Sequence, residues 1–367
     1  MISATLILET GETFHGQVPE WQQTIQFGEV VFNTGMVGYV ECLTDPSYRG
    51  QLLAFTYPLI GNYGVPAKEF WESDRIHAAG LIVSELADFY ARSTGEKSLL
   101  DWCREYKTAV ITGIDTRALT KCLRDKGVVA GAIVVGNQFP ETFPDINQEH
   151  LVKAVSIQKP TEFHPSSGAS HHLPPQREKG SLPKVIAIDC GMKQNIWRNL
   201  SKLPIQLKRV PFDYDFTHEQ YDGVFISNGP GDPERCQETI AILRKVLTQK
   251  KPVFGICLGS QLMGLAIGAK TYKLRFGHRS QNQPCLKEGT DRCFLTSQNH
   301  GYAVDETTLP AEWQVTYRNL NDNTVQGIAH KTLPYFSVQF HPEAAPGPVD
   351  TTFLFNEFYQ LLEEHND

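Results

Sequence analysis

Several features that would place a chain in a specialised class are absent from this sequence. Lys and Arg (34) do not outnumber Asp and Glu (41), and the formal net charge is −7. Because phosphate contacts require a basic surface, we expect no general binding to nucleic acid. No apolar run approaches the ~20 residues of a membrane-spanning helix, so we expect no membrane insertion. The first residues lack a basic region ahead of an apolar one, and we therefore expect no signal peptide.

The cysteines do not form the compact framework that is typical of small secreted domains. The chain has 8 cysteines, and no two of them form a Cys-x-x-Cys pair. Scattered cysteines without a secretory signal indicate reduced thiols and a cytoplasmic location. Cys285 and Cys293 lie near each other in sequence, but no paired ligands accompany them, so we expect no metal site.

Composition and pattern divide the 367 residues into regions of different character. Residues 1–140 contain short apolar and β-branched runs, which predict strands, and one clear helix between Asp115 and Gly127. We therefore predict a β-rich α/β N-terminal domain. Residues 184–367 show strands alternating with helices, which is the pattern of crossover units and a mainly parallel sheet flanked by helices. The predicted fold class is α/β.

Residues 141–183 are predicted to be a connector between these two domains. Seven of the 22 prolines lie between positions 139 and 183, together with the small polar run Ser166–Ser170. Such composition is typical of a linker or a loosely packed segment. The pair His171-His172 has no third ligand nearby, so a solvated linker is favoured over a metal site.

The segment with the strongest chemical character surrounds Cys257. The apolar run Val253–Ile256 predicts a strand, and the residues from Ser260 onward predict a helix. Cys257 stands at the turn between them, where a strand–nucleophile–helix elbow would hold its sulfur clear of the backbone. The dipole of the following helix would favour the thiolate. A buried structural cysteine in a β–α unit is the alternative for this segment taken alone.

Two further segments decide in favour of a nucleophile. His341 and Glu343 follow a predicted strand, and two residues of spacing in an extended segment puts both side chains on one side. A carboxylate beside an imidazole fixes the tautomer of the imidazole and stabilises the charge that it gains as a base. The turn Gly229-Pro-Gly231 follows another strand, and its amides can form a cradle for a developing oxyanion. No Gly-Lys-Ser/Thr follows that turn, so a phosphate loop is excluded.

These segments carry a resemblance to a known family. Asn228–Pro233, Gly255–Gln261 and His341–Glu343, in this order, resemble the class I (triad) glutamine amidotransferases. The N-terminal region resembles the small, glutaminase subunit of carbamoyl phosphate synthetase. The similar segments are Gly28–Tyr39, Leu43–Tyr48, Tyr57–Asn62, Gly113–Arg117, Gln298–Tyr302 and His341–Pro348.

The resemblance implies hydrolysis of L-glutamine to glutamate and ammonia. It implies that Cys257 forms a γ-glutamyl thioester, that His341 moves the protons and that Glu343 orients His341. The amides of Leu258 and Gly231 would form the oxyanion hole. The residues that match the family's glutamine-binding positions are Ser47, Gly229, Gly231, Leu258, Gln261, Asn299, Gly301 and Tyr302.

The resemblance also implies a partner. Ammonia is mostly protonated near neutral pH and ammonium is no nucleophile, so free ammonia is best delivered along a closed, water-poor path. This chain has no nucleotide-binding loop, and we expect no cofactor in it. The resemblance places ATP and Mg on a large subunit, which makes carbamoyl phosphate from bicarbonate for arginine and pyrimidine biosynthesis. We expect a hetero-oligomer of the two subunits.

The sequence departs from the family's pattern in two places. Ser260 stands where the family usually has His, and Arg279–Pro284 replaces a Gly-Gly-Asn-His-Pro segment. Neither change touches the three predicted catalytic residues. Two alternatives stay open: a triad amidotransferase that serves another synthetase or acts as a free-standing amidase, and a non-catalytic paralogue. A co-purifying large ATP-binding partner tests the first alternative, and labelling of Cys257 by a glutamine-mimicking electrophile tests the second.

Overall fold

The computed structural model describes residues 1–365 except residues 92, 94, 137–138 and 165–181. The chain forms two compact units. The first contains residues 1–151 and 274–281, and the second contains residues 152–273 together with those from 282 onward. The predicted domain boundaries at 140 and 183 stay a prediction. Within the described residues, no helix is long and apolar enough to cross a membrane.

The first unit is built on one large sheet and one small one. Its seven-stranded sheet has the order β2-β1-β9-β3-β4-β6-β8, and β5 pairs with β7. The elements are β1 (Ile2–Leu8), β2 (Thr13–Val18), β3 (Gln26–Asn33), α1 (Tyr39–Thr44), β4 (Gln51–Phe55), β5 (Leu59–Ile60), β6 (Gly80–Ile82), β7 (Glu85–Leu86), α2 (Leu99–Glu105), β8 (Ala109–Ile111), α3 (Thr116–Lys126) and β9 (Val129–Val135).

The predicted helix of this unit is confirmed as α3, and its ends follow from its sequence. The Asp115 side chain accepts a hydrogen bond from the Ala118 amide at 2.8 Å, which satisfies a donor of the first turn. Gly127 ends the helix with φ 99°, a conformation that costs glycine little. Leu119 and Leu123 lie on one face of α3 and are fully buried.

The second unit is built on a ten-stranded sheet in the order β10-β12-β11-β13-β14-β19-β18-β17-β15-β16. Its elements are α4 (Leu151–Val155), which begins at the boundary, β10 (Thr161–Phe163), β11 (Lys184–Asp189), α5 (Gln194–Leu200), β12 (Gln206–Pro211), β13 (Gly223–Ile226), α6 (Gln237–Leu247), β14 (Val253–Ile256), α7 (Leu258–Ala266), β15 (Thr271–Lys287), β16 (Cys293–Val304), β17 (Trp313–Asn319), β18 (Val325–His330), β19 (Tyr335–Val338) and α8 (Phe353–Glu364). Short 3-10 turns lie at Pro46–Tyr48, Lys68–Phe70, Ile146–Gln148, Pro233–Arg235 and Glu306–Thr308.

Five adjacent strands of this sheet run parallel: β12, β11, β13, β14 and β19. Alternate residues of β13 face opposite layers, so Val224 and Ile226 join one buried apolar cluster while Phe225 joins the other. The predicted α/β class, with a sheet flanked by helices, is confirmed. The sheet is mixed, because antiparallel pairs join β10, β18, β17 and β15 to the five parallel strands. The carboxyl ends of parallel strands meet at one edge, where α/β proteins place their active groups.

Three parts of the chain differ from the sequence-based expectation. The 17-residue strand β15 was not predicted, because its mixed burial gives no regular alternation. Strand β16 is longer than the predicted run Phe294–Thr296. Residues 141–164 of the predicted connector are more structured than expected, since they contain α4 and the edge strand β10, which pairs antiparallel with β12. The pair His171-His172 lies outside the described residues.

Candidate active site

The predicted elbow is present at the carboxyl end of β14. Cys257 has φ 55° and ψ −105°, and it connects β14 directly to α7. Its amide donates to the carbonyl of Val338 at 2.8 Å. A Cβ on Gly255 would lie 2.7 Å from the Gly259 carbonyl oxygen, and one on Gly259 would lie 2.4 Å from that of Ile226. Both glycines are therefore required by close backbone approach, and they hold Cys257 in a conformation that side chains rarely adopt.

The predicted glycine turn lies beside this elbow. A Cβ on Gly229 would lie 2.1 Å from the carbonyl oxygen of Cys190 and 2.7 Å from the Leu258 side chain. The turn after β13 thus packs against the first residue of α7. Gly231 has φ 87°, which a residue with a Cβ adopts only under strain. The two residues whose amides are predicted to bind an oxyanion, Gly231 and Leu258, belong to these two packed segments.

The predicted imidazole–carboxylate pair is formed after β19. The Nδ1 atom of His341 lies 2.7 Å from Oε1 of Glu343, and both side chains are buried. The amide of His341 donates to the carbonyl of Ser297 at 2.9 Å, which fixes the segment against β16. The contact with Glu343 requires that Nδ1 of His341 carries a proton. Nε2 is therefore the ring atom that is left to accept a proton.

Opposing effects act on the pKa values of this pair. Burial alone lowers the pKa of His341, but the charges of Glu343 and Cys257 outweigh it and raise that pKa above its usual value. Burial raises the pKa of Glu343, and the cations Lys193 and His341 more than reverse this. Among the described residues, Nε2 of His341 has no hydrogen-bond partner. The Cys257 sulfur lies 3.6 Å from the Asn299 carbonyl oxygen.

Sequence reasoning missed one charged residue of this site, Lys193. Its Nζ atom donates to Oε1 of Glu343 at 3.0 Å and to the Ala344 carbonyl at 2.6 Å. The Lys193 side chain is only 3% exposed. Its amide also donates to the side chain of Asn228, at the start of the glycine turn, at 3.0 Å. The buried ammonium of Lys193 and the imidazole of His341 therefore both contact the same oxygen, Oε1 of Glu343. The available signal was the position of Lys193 just after a parallel strand, β11.

Apart from Gly229 and Gly231 on the turn after β13, the predicted glutamine-binding residues of the second unit lie on α7 and β16. The side-chain amide of Gln261 donates to the Tyr302 carbonyl at 2.8 Å. Asn299 and Tyr302 lie on either side of the pair His300-Gly301. The ring nitrogens of His300 lie 2.8 Å from the Tyr302 carbonyl oxygen and 3.0 Å from Oε1 of Gln298. Gly301 also lies on β16. These contacts bring the backbone of residues 299–302 to the first turns of α7.

Ser47, the remaining predicted ligand, belongs to the first unit. It lies in the 3-10 turn Pro46–Tyr48, and its amide donates to Oδ1 of Asp45 at 2.9 Å. The side chain of Ser47 is mostly buried. Its assignment as a glutamine ligand stays a prediction.

Hydrogen bonds hold residues at both places where the sequence departs from the family's pattern, Ser260 and the segment that begins at Arg279. The Ser260 hydroxyl lies 2.8 Å from the Ser337 hydroxyl, and both side chains are buried. Within the first unit, the Arg279 guanidinium donates to the Phe276 carbonyl at 2.8 Å and its own carbonyl accepts from the Thr34 amide at 3.2 Å. The Ser260–Ser337 contact joins the helix after Cys257 to the strand before His341.

Comparison with known proteins gives two family matches. Residues 186–361 match the glutamine amidotransferase class-I family, and residues 6–133 match the carbamoyl-phosphate synthase small chain, CPSase domain. The carbamoyl phosphate synthase arginine-specific small chain of Aspergillus oryzae is 45% identical over 99% of this chain and 81% of its own length. The chain belongs to the carbamoyl phosphate synthase small-chain family. It is an enzyme component that joins a small-chain domain to a class I glutamine amidotransferase domain.

Longer relatives of this small chain are also similar to it. The multifunctional protein CAD of Squalus acanthias is 47% identical over 98% of this chain, which spans 16% of that protein. The multifunctional protein URA2 of Saccharomyces cerevisiae is 44% identical over 98% of this chain, which spans 18% of that protein. The small chain thus corresponds to less than a fifth of each of these proteins.

Proposed function

We propose that this small chain hydrolyses L-glutamine to L-glutamate and ammonia at Cys257. The observation that carries the proposal is the 2.7 Å contact between Nδ1 of His341 and Glu343, at the strand edge that also holds the cysteine elbow. An oriented imidazole with a free Nε2 and a raised pKa is suited to accept a thiol proton. Glu343 orients the ring and stabilises the imidazolium that forms.

The reaction proceeds in two halves. His341 takes the proton of Cys257, and the sulfur attacks the side-chain carbonyl carbon of glutamine, so a C–S bond forms. The oxyanion accepts hydrogen bonds from the amides of Leu258 and Gly231. His341 then gives its proton to the nitrogen as the C–N bond breaks, which releases ammonia and leaves a γ-glutamyl thioester. In the second half, His341 takes a proton from a water molecule, and the water oxygen bonds to the thioester carbon. The C–S bond then breaks, His341 returns the proton to the sulfur, and glutamate leaves.

The substrate is held by residues that match the family's positions. Gln261, Asn299, Gly301 and Tyr302 line the start of α7 and the adjoining backbone of β16, where contacts at 2.8 Å join the two elements. Gly229 on the neighbouring turn and Ser47 complete the proposed set. Polar groups of this kind bind the charged amino and carboxylate groups of an amino acid.

The ammonia serves a large ATP-dependent chain. We infer that this large chain binds ATP and Mg and makes carbamoyl phosphate from bicarbonate, for arginine and pyrimidine biosynthesis in the cytoplasm. The names of the relatives support this proposal, since they include arginine-specific small chains and much longer multifunctional proteins. The small chain and the large chain then form a hetero-oligomer, and this chain itself needs no cofactor.

The deciding experiment uses Cys257→Ser together with the large chain. We expect loss of glutamine-dependent carbamoyl phosphate synthesis, whereas synthesis from added ammonia persists because the large chain is unchanged. Cys293→Ser, which alters an exposed cysteine, is the matched control and should retain both activities. Full glutamine-dependent synthesis by Cys257→Ser would show that the nucleophile is assigned wrongly. If the chain released ammonia from glutamine but supported no synthesis by a large chain, a free-standing amidase would be favoured.

A further inference from the structure

The side-chain amide of Gln261 is held in one orientation by two acceptors. Its Nε2 atom donates to the Tyr302 carbonyl at 2.8 Å and to Oε1 of Gln339 at 3.1 Å. A main-chain carbonyl can only accept, so the atom facing it must be the nitrogen. Both protons of that nitrogen are then used inside the protein. The carbonyl oxygen, Oε1, is the atom of Gln261 that remains for a ligand.

Gln339 follows β19 and is 2% exposed. The main-chain N–H of Gln339 donates to the main-chain carbonyl of Gln326 on the adjacent strand β18 at 2.9 Å. Because its Oε1 accepts from Gln261, its Nε2 is a donor that points away from Gln261. In the described part of the chain, this Nε2 has no partner, and neither has Oε1 of the fully buried Gln326. One of these atoms is a donor and the other an acceptor, so a water molecule that bridged them would satisfy both.

The orientation of Gln326 is set in turn by residues nearer the surface. Its Nε2 donates to the Thr324 hydroxyl at 3.1 Å. That hydroxyl donates its single proton to Oδ1 of Asp322 at 2.8 Å. An ionised carboxylate can only accept, so the direction of each hydrogen bond follows from it. The series Asp322–Thr324–Gln326 therefore leaves Oε1 of Gln326 as an acceptor, the kind of atom that the unpaired Nε2 donor of Gln339 requires.

We infer that Gln339 is a positioning residue that makes Gln261 present its carbonyl oxygen to the α-ammonium group of glutamine. The inference rests on the proposed function and identifies the substrate group that this part of the site recognises. Two acceptors define the plane of the Gln261 amide, whereas Tyr302 alone defines only one direction. Without Gln339 the nitrogen still faces the Tyr302 carbonyl, but the plane of the amide is no longer fixed, so Oε1 has no single direction toward the ammonium.

The test replaces Gln339 by methionine, which keeps the side-chain length and removes both hydrogen-bonding groups. The full chain, assembled with the large chain, is assayed for its KM for glutamine and for inhibition by glutaramate, which lacks the α-ammonium. We expect KM for glutamine to rise roughly ten- to a hundredfold with kcat changed far less, since a hydrogen bond to a charged group is lost. The Ki of glutaramate should stay within about twofold, because it does not use this acceptor.

Two further variants complete the experiment. Gln326→Met removes the next member of the series and should shift KM in the same direction by a smaller factor, and it decides the matter if Gln339→Met does not fold. Gln314→Met alters an exposed glutamine on β17 and should leave both constants unchanged. An equal rise in KM and Ki, or an unchanged KM, would overturn the positioning role. Absence of glutamate release by the unaltered chain would instead overturn the proposed function itself.

Discussion

Two buried histidines, one in each compact unit, have opposite electrostatic surroundings. In the first unit, burial lowers the pKa of His77 to about 4, and the positive charge of Arg49 adds to this effect. In the second unit, burial also acts to lower the pKa of His341, but Glu343 and Cys257 raise it above the usual value. Burial is common to both rings, so the neighbouring charge decides which of them can carry a proton.

The difference indicates which of the two rings is suited to chemistry. The Nδ1 atom of His77 has no hydrogen-bond partner among the described residues, so no acceptor orients the ring through that atom. The Nδ1 atom of His341 is held by Glu343 at 2.7 Å, and its other nitrogen is left for the reaction. A buried histidine becomes a base when an acceptor orients it and stabilises its charged form.

Removal of each ring gives the largest predicted contrast. His341→Asn should reduce glutamine hydrolysis roughly 10⁴-fold, because the group that accepts the thiol proton and then donates it to the leaving nitrogen is lost. His77→Asn, the matched control, should retain kcat within a few-fold. Glutamate release under saturating glutamine measures both variants. Comparable losses in the two variants would contradict the assignment of His341 as the base.

Removal of the buried ammonium of Lys193 should have the next largest effect. In Lys193→Met the Glu343 carboxylate stays buried with one cation fewer, and loss of one partner of a buried pair costs about 3–5 kcal/mol. The exposed pair of Lys245 and Asp215, joined at 2.6 Å, supplies the control. Lys245→Met should change the free energy of unfolding by less than about 1 kcal/mol. Urea titration of both variants measures the difference, and similar losses would refute the buried pair's role in stability.

The pH dependence of stability should separate the two histidines by sign. The unfolded chain protonates His77 near pH 6.5 and the folded chain near pH 4, so stability falls as the pH falls through that interval. The full effect is about 3 kcal/mol, and His77→Asn should remove it. His341 acts oppositely: its contribution is fully present below pH 6.5 and is lost as the pH rises through its raised folded pKa.

Unfolding titrations of the unaltered chain and of both histidine variants, from pH 4 to pH 9, measure these contributions. The His77 variant should differ in slope from the unaltered chain only at acidic pH. The His341 variant should differ only above pH 6.5. The same slope change in both variants would show that their surroundings are not opposite.

The smallest predicted effect concerns Ser260, which joins the elbow helix to the strand before His341. Loss of the 2.8 Å contact with Ser337 in Ser260→Ala should cost about 0.5–1.5 kcal/mol, the usual contribution of one hydrogen bond. The double variant with Ser337→Ala should cost less than the sum of the single variants, because both singles break the same bond. Strict additivity would show that the two hydroxyl groups are not coupled.

The elements that were predictable from the sequence are those with local patterns. Asp115 and Gly127 mark the ends of α3, and the glycines around Cys257 mark a turn that no other residue fits. His341 and Glu343 needed only their spacing of two. Each of these predictions depended on residues that lie within about a dozen positions of each other.

Lys193 and β15 were not predictable for a shared reason. The role of Lys193 depends on its ion pair with Glu343, which is 150 positions away in sequence. A lysine that follows a strand does not by itself indicate such a partner. Strand β15 is held by long-range pairing, such as Cys285 with Asn319, rather than by alternation of apolar residues. Non-local partners supply both features, so a window moved along the chain does not detect them.

The long strand β15 has a consequence for how this architecture can be rearranged. By their contacts, residues 274–281 belong to the first unit, while the strand's two ends belong to the second. The chain therefore passes from one unit to the other after residues 151, 273 and 281. A gene cut once near residue 151 would leave the first unit without residues 274–281, which would stay on the piece that encodes the second unit. Transferring the first unit whole to another protein would require a second join inside β15, so inheritance of the two units together is favoured.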